Sequence, residues 1–115
     1  MFRIKRIYEV QTIEDKKAIT QVKKLIRAEY PNRSSEEIEQ LTDNIFNNGI
    51  NSFRPMLFVA EGFASKIKGF ALVFHDPDLK FSFLEELLVT RENENLGIGE
   101  ALYQRVKEEM QRRKS

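Results

Sequence analysis

Apolar residues recur along the chain with changing periods, and each period predicts an element. Met1–Val10 alternates apolar and polar side chains, with Phe2 and Ile4 in phase and, after a slip, Ile7 and Val10, which predicts a first strand. Ile19, Val22, Leu25 and Ile26 then fall three and four apart, the repeat of one helix face, until Pro31 stops the chain. Thr12 can cap that helix, with Asp15 three residues on as a loose capping box. Ser34 with Glu37 is a cleaner box. It opens a second helix that carries Ile38, Leu41, Ile45 and Phe46 and ends at Asn47-Asn48-Gly49. The pattern then turns β-rich. Met56–Ala60 and Ile67–Phe74 read as strands joined by a hairpin connection at 61–66, and Pro77 marks a turn before a third run, Phe81–Val89. After Arg91–Asn95 comes Leu96-Gly97-Ile98-Gly99, then a last helix with Ile98, Ala101, Leu102, Val106 and Met110 on one face. Lys107, Arg112, Arg113 and Lys114 gather near its C-terminus, where the helix dipole favours cations. The predicted order is β-α-α-β-β-β-α, an α/β (α+β) class, with no internal repeat or linker.

Composition narrows the function classes. At 115 residues the chain is long enough for one domain with a core of its own. The 41% hydrophobic and 32% charged content is that of a folded, soluble chain. The absence of cysteine removes disulfides, thiolate metal sites and cysteine nucleophiles together. Nineteen basic against eighteen acidic residues give a formal charge of +1, which argues against a broad nucleic-acid surface. No apolar run approaches the ~18 residues of a membrane helix and no signal peptide is read, so the expected location is cytoplasmic.

Candidate chemistry gathers at the strand–glycine–helix junction. A helix N-terminus offers unpaired backbone N–H groups and a partial positive charge, and glycines at 97 and 99 let an anion approach that backbone. The two glycines alone read first as a plain tight turn before a helix. The preceding strand carries Glu85 and Glu86 inside an apolar run. Strict alternation puts Phe81, Phe83, Glu85, Leu87 and Val89 on one face and Ser82, Leu84, Glu86 and Leu88 on the other. Because burying an unpaired carboxylate is costly, at least one of the two should face a cleft, a partner or water, or join a structural ion pair. His75, before Asp76-Pro77-Asp78, reads as a turn residue rather than a proton shuttle. With Asp76 and Asp78 it lacks the further ligands of a metal site.

Phe83-Leu84-Glu85-Glu86-Leu87-Leu88-Val89, a short polar turn, and then Glu94-Asn95-Leu96-Gly97-Ile98-Gly99-Glu100-Ala101-Leu102 resemble the acetyl-CoA-binding core of the GCN5-related N-acetyltransferases (GNAT). The family pattern there is a strand followed by Arg/Gln-x-x-Gly-x-Gly/Ala and a helix, and the element order matches over nearly the whole chain. Met1–Tyr8 and Phe70–Leu79 are also similar to acetyltransferase-like domains that precede a deacetylase-like hydrolase in longer bacterial proteins. The resemblance implies an acyl-CoA N-acyltransferase-like fold with a mixed, mostly antiparallel sheet. It implies transfer of an acetyl group from acetyl-CoA to a primary amine of unknown identity. Backbone groups of Leu87, Leu88 and Val89 would pair with the pantetheine arm, and amides of Asn95, Leu96, Gly97, Ile98, Gly99 and Glu100 would cradle the pyrophosphate. Glu85, with Glu86 beside it, aligns with a strand carboxylate that serves some polyamine-type members as base through water. Enclosure in an apolar cleft suits a carboxyl group to that work. The sequence departs from the pattern where Arg or Gln is expected, which falls on Glu94, and where a following Gly is frequent, which falls on Asn95.

In the family the general-acid tyrosine follows a further strand that opens the cleft. No counterpart occurs before Ser115; Tyr103 reads as a core or surface residue, and Tyr8 and Tyr30 as packing residues. The expectation is therefore a GNAT domain whose C-terminal part is missing, completed by downstream sequence or a partner chain. The alternative is a non-catalytic acyl-CoA-binding or protein-interaction module that regulates an attached enzyme. The apolar strand Phe81–Val89 should not be left at an open edge, which predicts a homodimer or pairing with another strand.

Overall fold

The computed structural model describes residues 1–7, 12–43 and 54–114. The elements are β1 (Arg3–Ile7), α1 (Ile13–Glu29), α2 (Ser35–Asp43), β2 (Arg54–Glu61), β3 (Ile67–Asp76), β4 (Phe81–Val89) and α3 (Ile98–Lys114), in the predicted order. Expectations placed on Tyr8, Val10, Ile45, Phe46 and Asn47-Asn48-Gly49 lie outside the described residues. Both helix starts are capped as the sequence predicts. Thr12 Oγ1 accepts from the Asp15 amide at 3.0 Å, and Ser34 Oγ accepts from the Glu37 amide at 3.1 Å.

The strands form one sheet in the order β1-β2-β3-β4, antiparallel at all three pairings. Helices α1 and α2 cover one face and α3 covers the other. On the first face Ile7, Leu57, Val59, Phe70 and Leu72 meet Ile19, Val22, Ile26 and Ile38. On the second, Met56, Phe58, Ala71 and Val73 meet Ile98, Leu102 and Val106. Burial from both sides explains why β2 and β3 read as unbroken apolar runs rather than alternating ones. It also removes the slip expected in β1. Phe2 and Ile4 pack on the α3 side and Ile7 on the α1 side, so the alternation is continuous and the apolar residues are shared between the two layers. Arg6, in phase with Ile4, thereby reaches α3, where its guanidinium lies 3.3 Å from the Glu109 carboxylate.

Two local devices position the C-terminal end of β4. A Cβ at Gly69 would stand 2.8 Å from the Leu88 carbonyl oxygen and 3.3 Å from Leu102 Cδ1, so only glycine lets β3, β4 and α3 converge there. Burial of Ile98, Leu102 and Val106, each worth about 1.5–3 kcal/mol, then holds the start of α3 over the end of β4.

Candidate functional site

β4 leaves the sheet at Val89, and Thr90 begins a tight connection to α3. Thr90 N–H donates to the Lys68 carbonyl at 2.9 Å, and the Asn93 amide and side chain return to Thr90 at 2.9 and 2.6 Å. Asn93 is buried and ties the short 3₁₀ turn Arg91–Asn93 to the strand end. The chain then runs through two left-handed residues, Asn95 at φ 67° and Gly97 at φ 81°. Asparagine is among the few side chains that tolerate this region. The first helical hydrogen bond is from the Ala101 N–H to the Gly97 carbonyl, at 3.0 Å. The amides of Ile98, Gly99 and Glu100 precede it and have no intrahelical acceptor.

These residues enclose a concavity of about 600 Å³ lined by Val89, Asn93, Glu94, Asn95, Gly97, Ile98, Gly99 and Glu100. A Cβ at Gly97 would enter open space with no atom within 4 Å, so the backbone there is bare toward a ligand. Of the nine residues expected to contact the cofactor, the concavity gathers Val89, Asn95, Gly97, Ile98, Gly99 and Glu100. Leu96 is exposed and does not line it. Leu87 and Leu88 send their side chains into opposite layers of the core, leaving their backbone along the strand that bounds the sheet. Glu94 and Glu100 are both exposed at the rim, with Glu94 where the family pattern has a cation or amide. A bare amide turn at a helix N-terminus fits a pyrophosphate in geometry, while the two carboxylates oppose it in charge.

The two candidate carboxylates are separated by a β-bulge. Leu72 pairs with Glu86 and Val73 with Leu84, so Glu85 is an extra residue on β4. The phase of the strand therefore changes at Glu85. Leu84, Leu87 and Val89 pack on the α3 side, whereas Leu88 packs on the α1 side with Glu86 in phase. The strict alternation expected from the sequence fails at this one inserted residue. Glu85 is solvent-exposed. Glu86 is half-buried, and its Oε1 accepts a hydrogen bond from the Tyr30 phenol at 2.6 Å. That bond and the negative charge of Glu86 hold the Tyr30 phenol above its ordinary value near 10, against a smaller opposing pull from Arg33. A pKa raised in the folded state favours the protonated phenol. The resulting stabilisation is complete below pH about 10 and is lost as pH rises through the folded-state value.

Tyr30, read from the sequence as a packing residue, is thus joined to the site by a bond spanning 56 positions. Its one local signal is its place immediately before Pro31, where α1 must end. His75 is the penultimate residue of β3, buried, with Nδ1 2.7 Å from Ser82 Oγ. The turn beyond it is built by Asp76, whose Oδ1 accepts from the Asp78 and Leu79 amides at 2.9 and 3.2 Å. Tyr103 is exposed on α3, with Lys107 Nζ 5.7 Å from its ring centre.

A four-stranded antiparallel sheet between one helix and two is the fold this chain shares with solved GNAT acetyltransferases. The crystal structure of Tetrahymena GCN5 superposes with a TM-score of 0.77 at 20% identity, covering 99% of this chain and 65% of that one. The catalytic domain of the Tetrahymena GCN5 histone acetyltransferase in complex with coenzyme A gives 0.73 at 18% identity, covering 99% and 64%. An acetyltransferase of the GNAT family from Staphylococcus aureus gives 0.65 at 19% identity, covering 96% and 67%. The chain thus spans about two-thirds of the length of these structures. No family model and no curated protein matches the sequence. No helix among the described residues is long and apolar enough to cross a membrane.

Proposed function

We propose that this chain is an N-acetyltransferase domain that binds acetyl-CoA and transfers its acetyl group to a primary amine. The observation that carries the reading is the bare Gly97 backbone at the start of α3, facing a concavity built by the same turn. The coenzyme A bound to the Tetrahymena domain of the same fold supports it. Acetyl-CoA supplies an activated thioester, and the chain supplies the contacts around it. Amides of Asn95–Glu100 would hold the pyrophosphate, and backbone groups of Leu87–Val89 would hold the pantetheine arm and polarise the thioester carbonyl. Glu85, exposed at the bulge, and Glu86 beside it would receive the amine and its proton, directly or through water.

Glu94 provides the test. If the pyrophosphate lies in this concavity, the exposed Glu94 carboxylate at its rim weakens binding. Glu94→Gln is expected to tighten acetyl-CoA binding, and Glu94→Arg to tighten it by roughly tenfold at low salt, an effect that shrinks as salt screens the charge. Calorimetric titration at two ionic strengths reads this directly. Affinities that do not respond to the charge at position 94 would place the anion elsewhere.

The same reading pairs another strand with β4, which bounds the described sheet and exposes Phe81 and Phe83. That strand comes from a second copy of the chain or from another segment of polypeptide. Light scattering at tens of micromolar is expected to show association, and a monodisperse monomer would count against pairing with a second copy.

A further inference from the structure

Glu86 carries an unusual combination of surroundings. It is half-buried on the helix side of β4, and among the described residues no cation forms an ion pair with it. Its defined contact is the Tyr30 phenol at 2.6 Å, within the short range of O–H bonds to carboxylates. Tyr30 is itself held. Its amide donates to the Ile26 carbonyl at 2.9 Å as the cap of α1, its carbonyl accepts from the Arg33 amide at 3.1 Å, and the Arg33 guanidinium lies 4.2 Å from its ring centre. The bulge at Glu85 turns Glu86 toward this tyrosine, because unbroken alternation from Leu84 would put Glu85 on that face. A glutamate on a free side chain samples many rotamers, whereas this one is tied to a fixed element.

We propose that Tyr30 is a positioning residue that fixes the Glu86 carboxylate to receive the ammonium group of the acceptor. The inference rests on the acetyltransferase reading and adds to it a residue at the C-terminal cap of α1. Three charged groups bear on the phenol: Glu86 from β4, Arg33 from the α1–α2 turn and Glu29 from α1. Replacing the phenol by phenyl keeps the ring against Arg33 and removes only the bond to Glu86.

The test uses the full chain at pH 7 and low salt, labelled with ¹³C at the tyrosine ζ and glutamate δ carbons. It is titrated with 1,4-diaminobutane while the Tyr30 and Glu86 signals are followed. The wild-type chain is expected to show a saturable shift of both signals. In Tyr30→Phe the Glu86 signal should saturate at about tenfold higher diamine, the effect of losing one hydrogen bond to a charged group. In Glu86→Gln the Tyr30 signal should no longer respond, and its high-pH titration should fall toward the ordinary value. Tyr103→Phe, on the exposed face of α3, should change nothing. An unresponsive Glu86 signal in the wild-type chain, or equal diamine affinity in Tyr30→Phe, overturns the inference. Acetyl-CoA binding is measured on the same samples through the Gly97 and Gly99 amides, and its absence overturns the acetyltransferase reading instead.

Discussion

Replacing Glu109 by alanine is expected to destabilise the fold by about 3–5 kcal/mol, the loss typical when one partner of a buried ion cluster is removed. Glu109 is only 3% exposed, yet three guanidiniums converge on it. Arg6 from β1 lies 3.3 Å from one carboxylate oxygen, while Arg105 and Arg112 of α3 lie 3.4 and 3.2 Å from the other. Without the carboxylate, the half-covered Arg6 loses its tie to α3, and like charges are left together in a layer otherwise built of Phe58, Leu102 and Val106. Urea unfolding should show a lower midpoint with an unchanged slope. The matching control is Arg112→Ala. That side chain is 72% exposed, and its removal should cost less than about 1 kcal/mol, as for exposed pairs generally. Equal losses for the two variants would show that the cluster does not hold β1 to α3 through Glu109.

Gly97→Val is expected to separate binding from folding. A β-branched residue at φ 81° is strained, and the left-handed conformation costs about 1–2 kcal/mol for a side chain. Apart from the adjoining residues, no protein atom lies within 4 Å of the new Cβ, so the side chain starts into open space. Its methyls would fill the approach to the helix amides. Acetyl-CoA affinity should therefore fall at least about tenfold, that is by 1.4 kcal/mol or more, in a protein that still unfolds cooperatively. Unchanged affinity in the valine variant would mean that the anion does not sit on this turn.

The element order and both capping serines or threonines were legible because they rest on local rules: period, cap chemistry and the stop at Pro31. The glycine turn was legible for the same reason, since left-handed backbone has few tenants, and Asn95 and Gly97 are two of them. What escaped depends on pairing between distant residues. The bulge at Glu85 is a property of the β3–β4 register, and it puts Leu84 on the α3 side, opposite Leu88, with which strict alternation groups it. The bond from Tyr30 to Glu86 crosses 56 positions and exists only after α1 has packed on the sheet. The apparent slip in β1 had a similar origin. A strand buried on both faces gives apolar residues in either phase, so Ile7 looked misplaced while it was serving the other layer. Sequence period reports one face well and a two-faced strand poorly.

On the proposed function, the turn from Asn95 to Glu100 is an anion cradle for acetyl-CoA. The most direct measurement is an equilibrium titration of the full chain with acetyl-CoA at low salt, following the backbone amides. Saturable binding is expected, with the largest shifts at Asn95–Glu100 and along Leu87–Val89. The absence of saturable binding, or binding that leaves those amides unmoved, would contradict it.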